Sequence, residues 1–197
     1  APQVEGSPVN TTALNLLTLI THKSPPLSEI IRVTNIESHN LYAEVLLRAL
    51  GLARCGEGSL EAGAAVVTAW MRSLGVDERH FHMKDGSGLS RKNLLTPRAL
   101  VTVLAYMADV SPHGEIYMAS LPLAGVDGTL QGRMHDTPAE GMLRAKTGSM
   151  ELVNALAGIT LNSQNKRIIF AMLTNNHTLK ARKVRKLEDT VCGLLSQ

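Results

Sequence analysis

Residues 141–149 read Gly-Met-Leu-Arg-Ala-Lys-Thr-Gly-Ser, and a run rich in strand-forming residues follows from Leu152 to Leu161. Lys146 supplies a positive charge, Thr147 a hydroxyl donor, and Gly148 a stretch of backbone without a Cβ that a ligand can approach closely. A cation, a hydroxyl and bare backbone at a strand entry together form a receptor for a carboxylate or a tetrahedral oxyanion. Taken alone, these three letters are also compatible with an ordinary strand that carries an exposed lysine.

A second polar pair, Ser38 and Asn40, stands at the start of an amphipathic segment that we expect to be a helix ending at Gly51. The apolar residues of this segment recur at helical spacing in two rows, namely Leu41, Val45 and Ala49, and Tyr42, Leu46 and Leu50. A serine and an asparagine two positions apart at a helix start can both face a cleft. Either of them could instead only cap the helix, since both residue types are favoured N-caps.

Together, S-x-N followed by K-T-G makes two of the three motifs of penicillin-binding proteins and serine β-lactamases, whose third motif is S-x-x-K. Longer segments narrow the family, and these are Ser24–Ile30, Asn40–Glu44, Asp85–Arg91, Leu121–Leu130 and Leu143–Ser149. In this order they resemble the D-alanyl-D-alanine carboxypeptidase/endopeptidase family often called penicillin-binding protein 4 or DacB. The resemblance runs from about His22 to the C-terminus, and it departs from the family at His39, where aspartate is usual.

The resemblance implies an α/β (α+β) fold with a mainly antiparallel central sheet flanked by helices, as in penicillin-binding proteins and serine β-lactamases. It implies a serine-type enzyme, a carboxypeptidase or endopeptidase, that acts on peptidoglycan stem peptides through an acyl-enzyme and binds β-lactams without a cofactor. The implied location is periplasmic or otherwise extracytoplasmic. A non-catalytic relative that holds a peptide or partner in the same cleft is the alternative, and a β-lactamase fits the flanking segments less well.

By the same resemblance, Ser38 transfers a proton toward the leaving amine and Asn40 holds the substrate amide. Lys146 and Thr147 bind the substrate carboxylate or polarise Ser38. The backbone N–H of Ser149 forms half of an oxyanion hole. The expected site therefore consists of Ser38, Asn40, Lys146, Thr147, Gly148 and Ser149.

The nucleophile motif is missing where the family carries it, because no serine before Ser38 is followed three positions later by lysine. The letters recur at Ser163-Gln-Asn-Lys166, in a polar linker between two strand-like runs that is typical of a hairpin loop. The chemistry needs the amine one helical turn from the serine. We therefore expect residues 1–197 to be a single domain, the C-terminal part of a transpeptidase-like catalytic domain. Alone it should be inactive, with the nucleophile supplied by an N-terminal segment or a second chain.

If the motifs form one site, Ser38, Asn40 and Lys146 must converge on one concavity, and an exposed apolar groove should mark the place of the missing nucleophile helix. Other local signals predict a strand at Leu14–His22, a short helix at Leu27–Thr34 and a hairpin formed by the runs either side of residues 162–166. Capped helix starts are predicted at Ser59, Thr96-Pro97 and Ser111-Pro112. The segment Gly125–Pro138 should be loop-rich and border the cleft.

The composition, 44% hydrophobic and 19% charged, is ordinary for a globular domain, and the net charge is +3. The basic run Lys180–Lys186 lies in a predicted C-terminal helix whose apolar stripe is Val184, Leu187, Val191 and Leu194. A solvated helix face is the first interpretation of its charges, and contact with anionic polymers or membranes is the alternative. Nucleic-acid binding is not expected, since the run has no interleaved aromatics and no reader motif accompanies it.

No apolar run approaches the about 18 residues of a transmembrane span, and Ala1–Gly6 lacks the basic start and apolar core of a signal peptide, as a mature exported protein would. The two cysteines, Cys55 and Cys192, are expected to be buried free thiols, and a disulfide bond between them is the alternative. The close pair His80 and His82 is better explained by a surface turn or strand than by a metal site.

Overall fold

The structure, a computed structural model, describes residues 19–197. Its first helices are α1 (Leu27–Ile36), α2 (Asn40–Cys55) and α3 (Leu60–Ser73). The predicted helix at Leu27–Thr34 is confirmed by α1. Ser59 caps α3 as predicted, because its hydroxyl accepts a hydrogen bond from the backbone N–H of Ala62 at 3.1 Å.

The predicted end of α2 at Gly51 is wrong, because this glycine is buried inside the helix where α2 crosses α3. A Cβ at Gly51 would lie 2.7 Å from the backbone nitrogen of Gly63, and a Cβ at Gly63 would lie 2.1 Å from the carbonyl oxygen of Leu47. The two glycines therefore allow close approach of the helices. The helix ends instead at Gly56, whose φ of +75° suits glycine.

Only part of the predicted apolar pattern of α2 faces the core. Leu46 and Leu50 of the second row are half-buried, whereas Leu41 and Val45 of the first row are 63% and 54% exposed. The fully buried Leu47 belongs to neither predicted row. The row Leu41, Val45 and Ala49 therefore lies on the solvent side of the described structure.

The middle of the chain contains a short antiparallel pair, β1 (Phe81–His82) and β2 (Leu94–Leu95), followed by α4 (Pro97–Asp109) and α5 (Gly114–Ser120). Thr96 caps α4 as predicted, through the backbone N–H of Ala99. The start predicted at Ser111-Pro112 is wrong by two residues. The Ser111 hydroxyl accepts from the His113 N–H within a turn, and α5 begins after that turn without a side-chain cap.

The central sheet of the described chain has three antiparallel strands, β3 (Arg144–Met150), β4 (Val153–Leu161) and β5 (Arg167–Asn175), in the order β3-β4-β5. The hairpin predicted either side of residues 162–166 is confirmed by β4 and β5. The last helix, α6 (Ala181–Leu195), also follows the prediction.

Helices cover both faces of this sheet. On one face, Ala157 of β4 packs with Leu104 of α4 and Leu121. On the other face, Leu156 and Phe170 belong to the same buried cluster as Cys192 of α6. The mainly antiparallel sheet between helices is the expected α+β arrangement.

The inward row of α6 differs from the predicted stripe. Val184, Glu188 and Cys192 are buried, whereas Leu187 and Leu194 are 61% and 62% exposed. A carboxylate can occupy the inward row because Arg133, from the loop between α5 and β3, pairs with it, as described below. The basic residues of this helix lie largely on its exposed side, in agreement with the solvated-face interpretation.

The strand predicted at Leu14–His22 is not found in its described part, since residues 19–22 belong to no helix or strand. Residues 14–18 lie outside the described residues. The cysteines are free, but only Cys192 is buried, so the expectation of burial is wrong for Cys55. Among residues 19–197, no helix combines the length and the apolar character that a membrane crossing requires.

Candidate active site

Ser38 and Lys146 meet although 108 positions separate them in the chain. The Lys146 ammonium donates to the Ser38 hydroxyl oxygen at 2.7 Å and to the backbone carbonyl of Thr147 at 3.0 Å. Burial lowers the pKa of Lys146 from its ordinary value, because the partly buried amine loses the solvation that favours its charged form. The pair thus joins a hydroxyl to an amine that exchanges its proton more readily than a solvated lysine does.

The turn between α1 and α2 explains the position of Ser38. Its φ of +53° is unusual for a residue with a side chain. The N-cap of α2 is neither Ser38 nor Asn40 but the residue between them, since the Nδ1 of His39 accepts from the backbone N–H of Tyr42 at 3.3 Å. The capping role considered for the S-x-N pair is therefore taken by its middle residue, and both ends of the motif line the cavity.

Strand alternation places neighbouring residues of β3 on opposite sides of the sheet. Lys146 pairs across the sheet with Ala157, on the face that packs against α4, and from there it reaches Ser38. Thr147 turns to the other face, where its hydroxyl donates to the hydroxyl of Thr129 at 2.9 Å. The edge strand of the described sheet therefore presents an amine on one side and a hydroxyl on the other.

These groups surround one cavity of about 700 Å³. Its lining includes all six residues that the sequence assigned to the site, Ser38, Asn40, Lys146, Thr147, Gly148 and Ser149. The remaining lining combines polar side chains with apolar ones such as Leu89 and Met150. An adjoining cavity shares Gly148 and Ser149 and is lined in part by the apolar residues Leu94, Leu95, Val153 and Leu173. The groove expected for the nucleophile helix stays a prediction.

Part of the cavity wall is the loop Gly86–Leu89. It lies close against α2, because a Cβ at Gly86 would be 2.5 Å from the carbonyl oxygen of Ala43. The Asp85 carboxylate accepts from the backbone N–H groups of Gly88 and Ser90, at 2.8 and 2.7 Å, and from the side chain of Asn93 at 2.7 Å. One carboxylate thus organises this part of the cavity wall.

Replacing Asp85 with alanine should therefore loosen this wall while the rest of the fold remains. We expect amide hydrogen exchange at Gly88 and Ser90 to become at least about tenfold faster, since each N–H loses a charge-assisted acceptor. Asp77→Ala is the matched control, because the Asp77 carboxylate organises only a distant exposed turn. Unchanged exchange at both amides in Asp85→Ala would contradict the assignment.

The segment Gly125–Pro138 borders the cleft as predicted, through Thr129 and Arg133. The Arg133 guanidinium is held by two carboxylates of α6, with contacts of 2.9 Å to Glu188 and 2.6 Å to Asp189. Burial raises the pKa of Glu188, and the charge of Arg133 opposes that shift. The ion pairs fix the loop to α6 beside the cavity.

Asn154 on β4 supports the far end of the K-T-G strand. It is 2% exposed and lines the cavity. Its side chain contacts the Ser149 hydroxyl at 3.5 Å and the Nε2 of His177 at 3.0 Å. Neither Asn154 nor His177 belongs to a sequence motif, and no pattern in the neighbouring residues predicts their contact. Thr129 could have been identified from the sequence, since it lies in the segment Leu121–Leu130 that resembles the family.

The chance S-x-x-K match has no access to this site. Ser163 lies in the loop between β4 and β5, and its hydroxyl donates to the carbonyl oxygen of Gln197 at 2.7 Å. It does not line the cavity. Among the described residues there is also no cluster of three or more potential metal ligands.

Comparison with known proteins gives a consistent result. The model of the D-Ala-D-Ala carboxypeptidase 3 (S13) family matches residues 9–197. A D-alanyl-D-alanine carboxypeptidase from Actinomadura is 39% identical over 165 residues, which are 81% of this chain and 30% of that protein. The chain spans about a third of the length of the curated relatives that it matches.

Solved structures agree on the fold. Penicillin-binding protein 4 (dacB) from Haemophilus influenzae, in a complex with a β-lactam, superposes with a TM-score of 0.78 at 29% identity, covering 89% of this chain and 43% of that one. An extended-spectrum β-lactamase, TLA-1, gives a TM-score of 0.65 at 19% identity, with 84% and 61% of the two chains covered. The predicted fold class, including its likeness to penicillin-binding proteins and serine β-lactamases, is confirmed.

Proposed function

The chain belongs to the D-Ala-D-Ala carboxypeptidase 3 (S13) family, and we propose that it forms the C-terminal part of a transpeptidase-like catalytic domain. The complete enzyme is a serine-type D-Ala-D-Ala carboxypeptidase or endopeptidase that acts on peptidoglycan stem peptides outside the cytoplasm and is acylated by β-lactams. The observation that carries this proposal is the 2.7 Å contact between Ser38 and Lys146 at the edge of one cavity.

In the acylation step, the lysine of the S-x-x-K motif takes the hydroxyl proton of the nucleophilic serine, and the serine oxygen bonds to the carbonyl carbon that precedes the terminal D-alanine. The bond from that carbon to the leaving nitrogen breaks, and Ser38 passes its hydroxyl proton to this nitrogen. Lys146 is placed to return a proton to Ser38, and its lowered pKa favours that exchange. Water then attacks the acyl-enzyme and releases the shortened peptide.

Substrate binding falls to the groups around the reacting bond. Asn40 holds the substrate amide, and the hydroxyl of Thr147 binds the terminal carboxylate. The exposed backbone at Gly148 allows the peptide to approach β3, and the N–H of Ser149 contributes half of the oxyanion hole. The support for these roles is that all four residues line the same cavity as the Ser38–Lys146 pair.

The nucleophile, in this proposal, comes from an N-terminal segment of the same protein or from a second chain. The position of Ser163 supports this proposal, since a serine at a hairpin tip cannot have a lysine one helical turn away on the same face. A non-catalytic peptide-binding relative would have the same cavity without such a partner segment.

We predict that the 197-residue chain alone gains no covalent adduct when it is incubated with benzylpenicillin. Intact-protein mass spectrometry measures this directly, with the full-length protein as the positive control, where a stoichiometric adduct is expected. An adduct on the isolated chain would overturn the proposal that another segment or chain supplies the nucleophile. Its loss in Ser163→Ala would then assign the nucleophile to the hairpin, and its loss in Ser38→Ala would assign it to the S-x-N motif.

A further inference from the structure

Thr129 presents a second hydroxyl beside the K-T-G strand. It lies in the short 3₁₀ helix Gly128–Leu130, lines the cavity and is exposed to it. Its oxygen accepts a hydrogen bond from the Thr147 hydroxyl at 2.9 Å. The function proposed above gives Thr129 no role.

The backbone around Thr129 is fixed on several sides. A Cβ at Gly128 would lie 2.6 Å from the carbonyl oxygen of Ile36, the last residue of α1, so this turn packs tightly against the helix that leads to Ser38. Leu130 is completely buried. The Asp127 carboxylate accepts from the backbone N–H of Leu123 at 2.8 Å. Thr129 is therefore held in place by contacts that do not involve Thr147.

The proton balance of the hydroxyl pair decides which group can bind a ligand. Each hydroxyl carries one proton and can accept further hydrogen bonds. Because the proton of Thr147 is used in the contact with Thr129, the proton of Thr129 remains available. If the direction of the contact reverses, the proton of Thr147 becomes available instead. While this contact holds, the pair offers one O–H, which belongs to Thr129 in the observed arrangement. A carboxylate that also accepts from Thr147 replaces the contact, and each hydroxyl then donates one hydrogen bond to it.

We infer that Thr129 is a carboxylate-binding residue, which donates a hydrogen bond to the free C-terminal carboxylate of the substrate as the partner of Thr147. The inference rests on the proposed function and deepens it. It assigns the end of the cavity beside Thr129 and Thr147 to a chain terminus. A peptide that ends in a free acid is therefore preferred over one whose corresponding carbonyl continues into an amide.

The test compares two substrates of the full-length protein, diacetyl-L-Lys-D-Ala-D-Ala and the same peptide with a C-terminal amide. In Thr129→Val we expect kcat/KM for the acid to fall about tenfold to hundredfold, the usual effect of losing one hydrogen bond to a charged group. The value for the amide should change less than about threefold. Thr129→Ser keeps the hydroxyl and should restore the preference for the acid.

Thr190→Val is the matched control, because the Thr190 hydroxyl donates to the carbonyl of Lys186 on the exposed side of α6. An equal fall for acid and amide in Thr129→Val would show that the residue only supports the fold and would overturn the inference. If the wild-type protein turns over neither peptide, the proposed function fails, and equilibrium binding of the two peptides by calorimetry decides on Thr129 separately. Loss of affinity for the acid alone in Thr129→Val supports the inference, and equal affinities of the wild type for acid and amide overturn it.

Discussion

Replacing Lys146 with alanine should slow acylation of the full-length protein by benzylpenicillin about hundredfold or more. Removal of one preorganised polar group from an acyl-transfer site typically has an effect of this size. Here the substitution removes both the partner of Ser38 and the cation at the mouth of the K-T-G strand. The second-order acylation rate constant, from stopped-flow or time-resolved mass spectrometry, measures the effect.

Arg144→Ala is the control for this experiment, since it removes a cation two positions away on the same strand. The Arg144 guanidinium donates to the backbone carbonyl oxygen of Leu121 at 2.9 Å and so supports the fold rather than the cavity. We expect it to lower the melting temperature while the acylation rate changes less than about fivefold. Equal rate losses in the two variants would refute the assignment of the cleft to K-T-G.

More of the candidate site than of the fold could be predicted from the sequence. Lys146, Thr147 and Gly148 form a local motif whose chemistry depends on residue type and order, so they could be recognised without knowing what lies nearby. The same holds for Ser38 and Asn40. The motifs do not predict the contact between Ser38 and Lys146. This contact depends on the packing of α1, α2 and β3, so it is seen only in the three-dimensional structure.

The errors arise where tertiary contacts override local patterns. A glycine such as Gly51 is typical of the end of a helix, but here the close approach of α3 requires a glycine in the middle of α2. Leu187 fits an apolar stripe of α6, yet the inward row carries Glu188 because Arg133 pairs with it. Asn154 supports Ser149 from the neighbouring strand, a relation that depends on strand register rather than on sequence spacing.

The contact between β3 and β4 at Gly158 is important for both the stability of the sheet and the position of the site residues. Gly158 of β4 pairs with Ala145, the residue before Lys146. A Cβ at Gly158 would lie 2.1 Å from the carbonyl oxygen of Arg144 and 2.5 Å from the Cβ of Ala145. Both neighbours belong to the strand that carries the site, so neither can move without displacing it.

Gly158→Ala should therefore damage stability and activity together. Overpacking against fixed atoms destabilises by about 1–3 kcal/mol or more, and a value near 3 kcal/mol corresponds to a fall of about 6–12 °C in the melting temperature of a domain of this size. Because β3 must shift to make room, the fraction of the full-length variant that is still folded at 25 °C should also be acylated by benzylpenicillin at least about tenfold more slowly. Gly132→Ala is the matched control, since a Cβ there meets no atom within 4 Å. Calorimetry and the penicillin reaction, run on the same preparations, measure both effects.

A Gly158→Ala variant that melts like Gly132→Ala would mean that the contact between β3 and β4 is less tightly packed than the structure indicates. A variant that melts early but acylates at the normal rate would instead separate the stability of the sheet from the placement of Lys146.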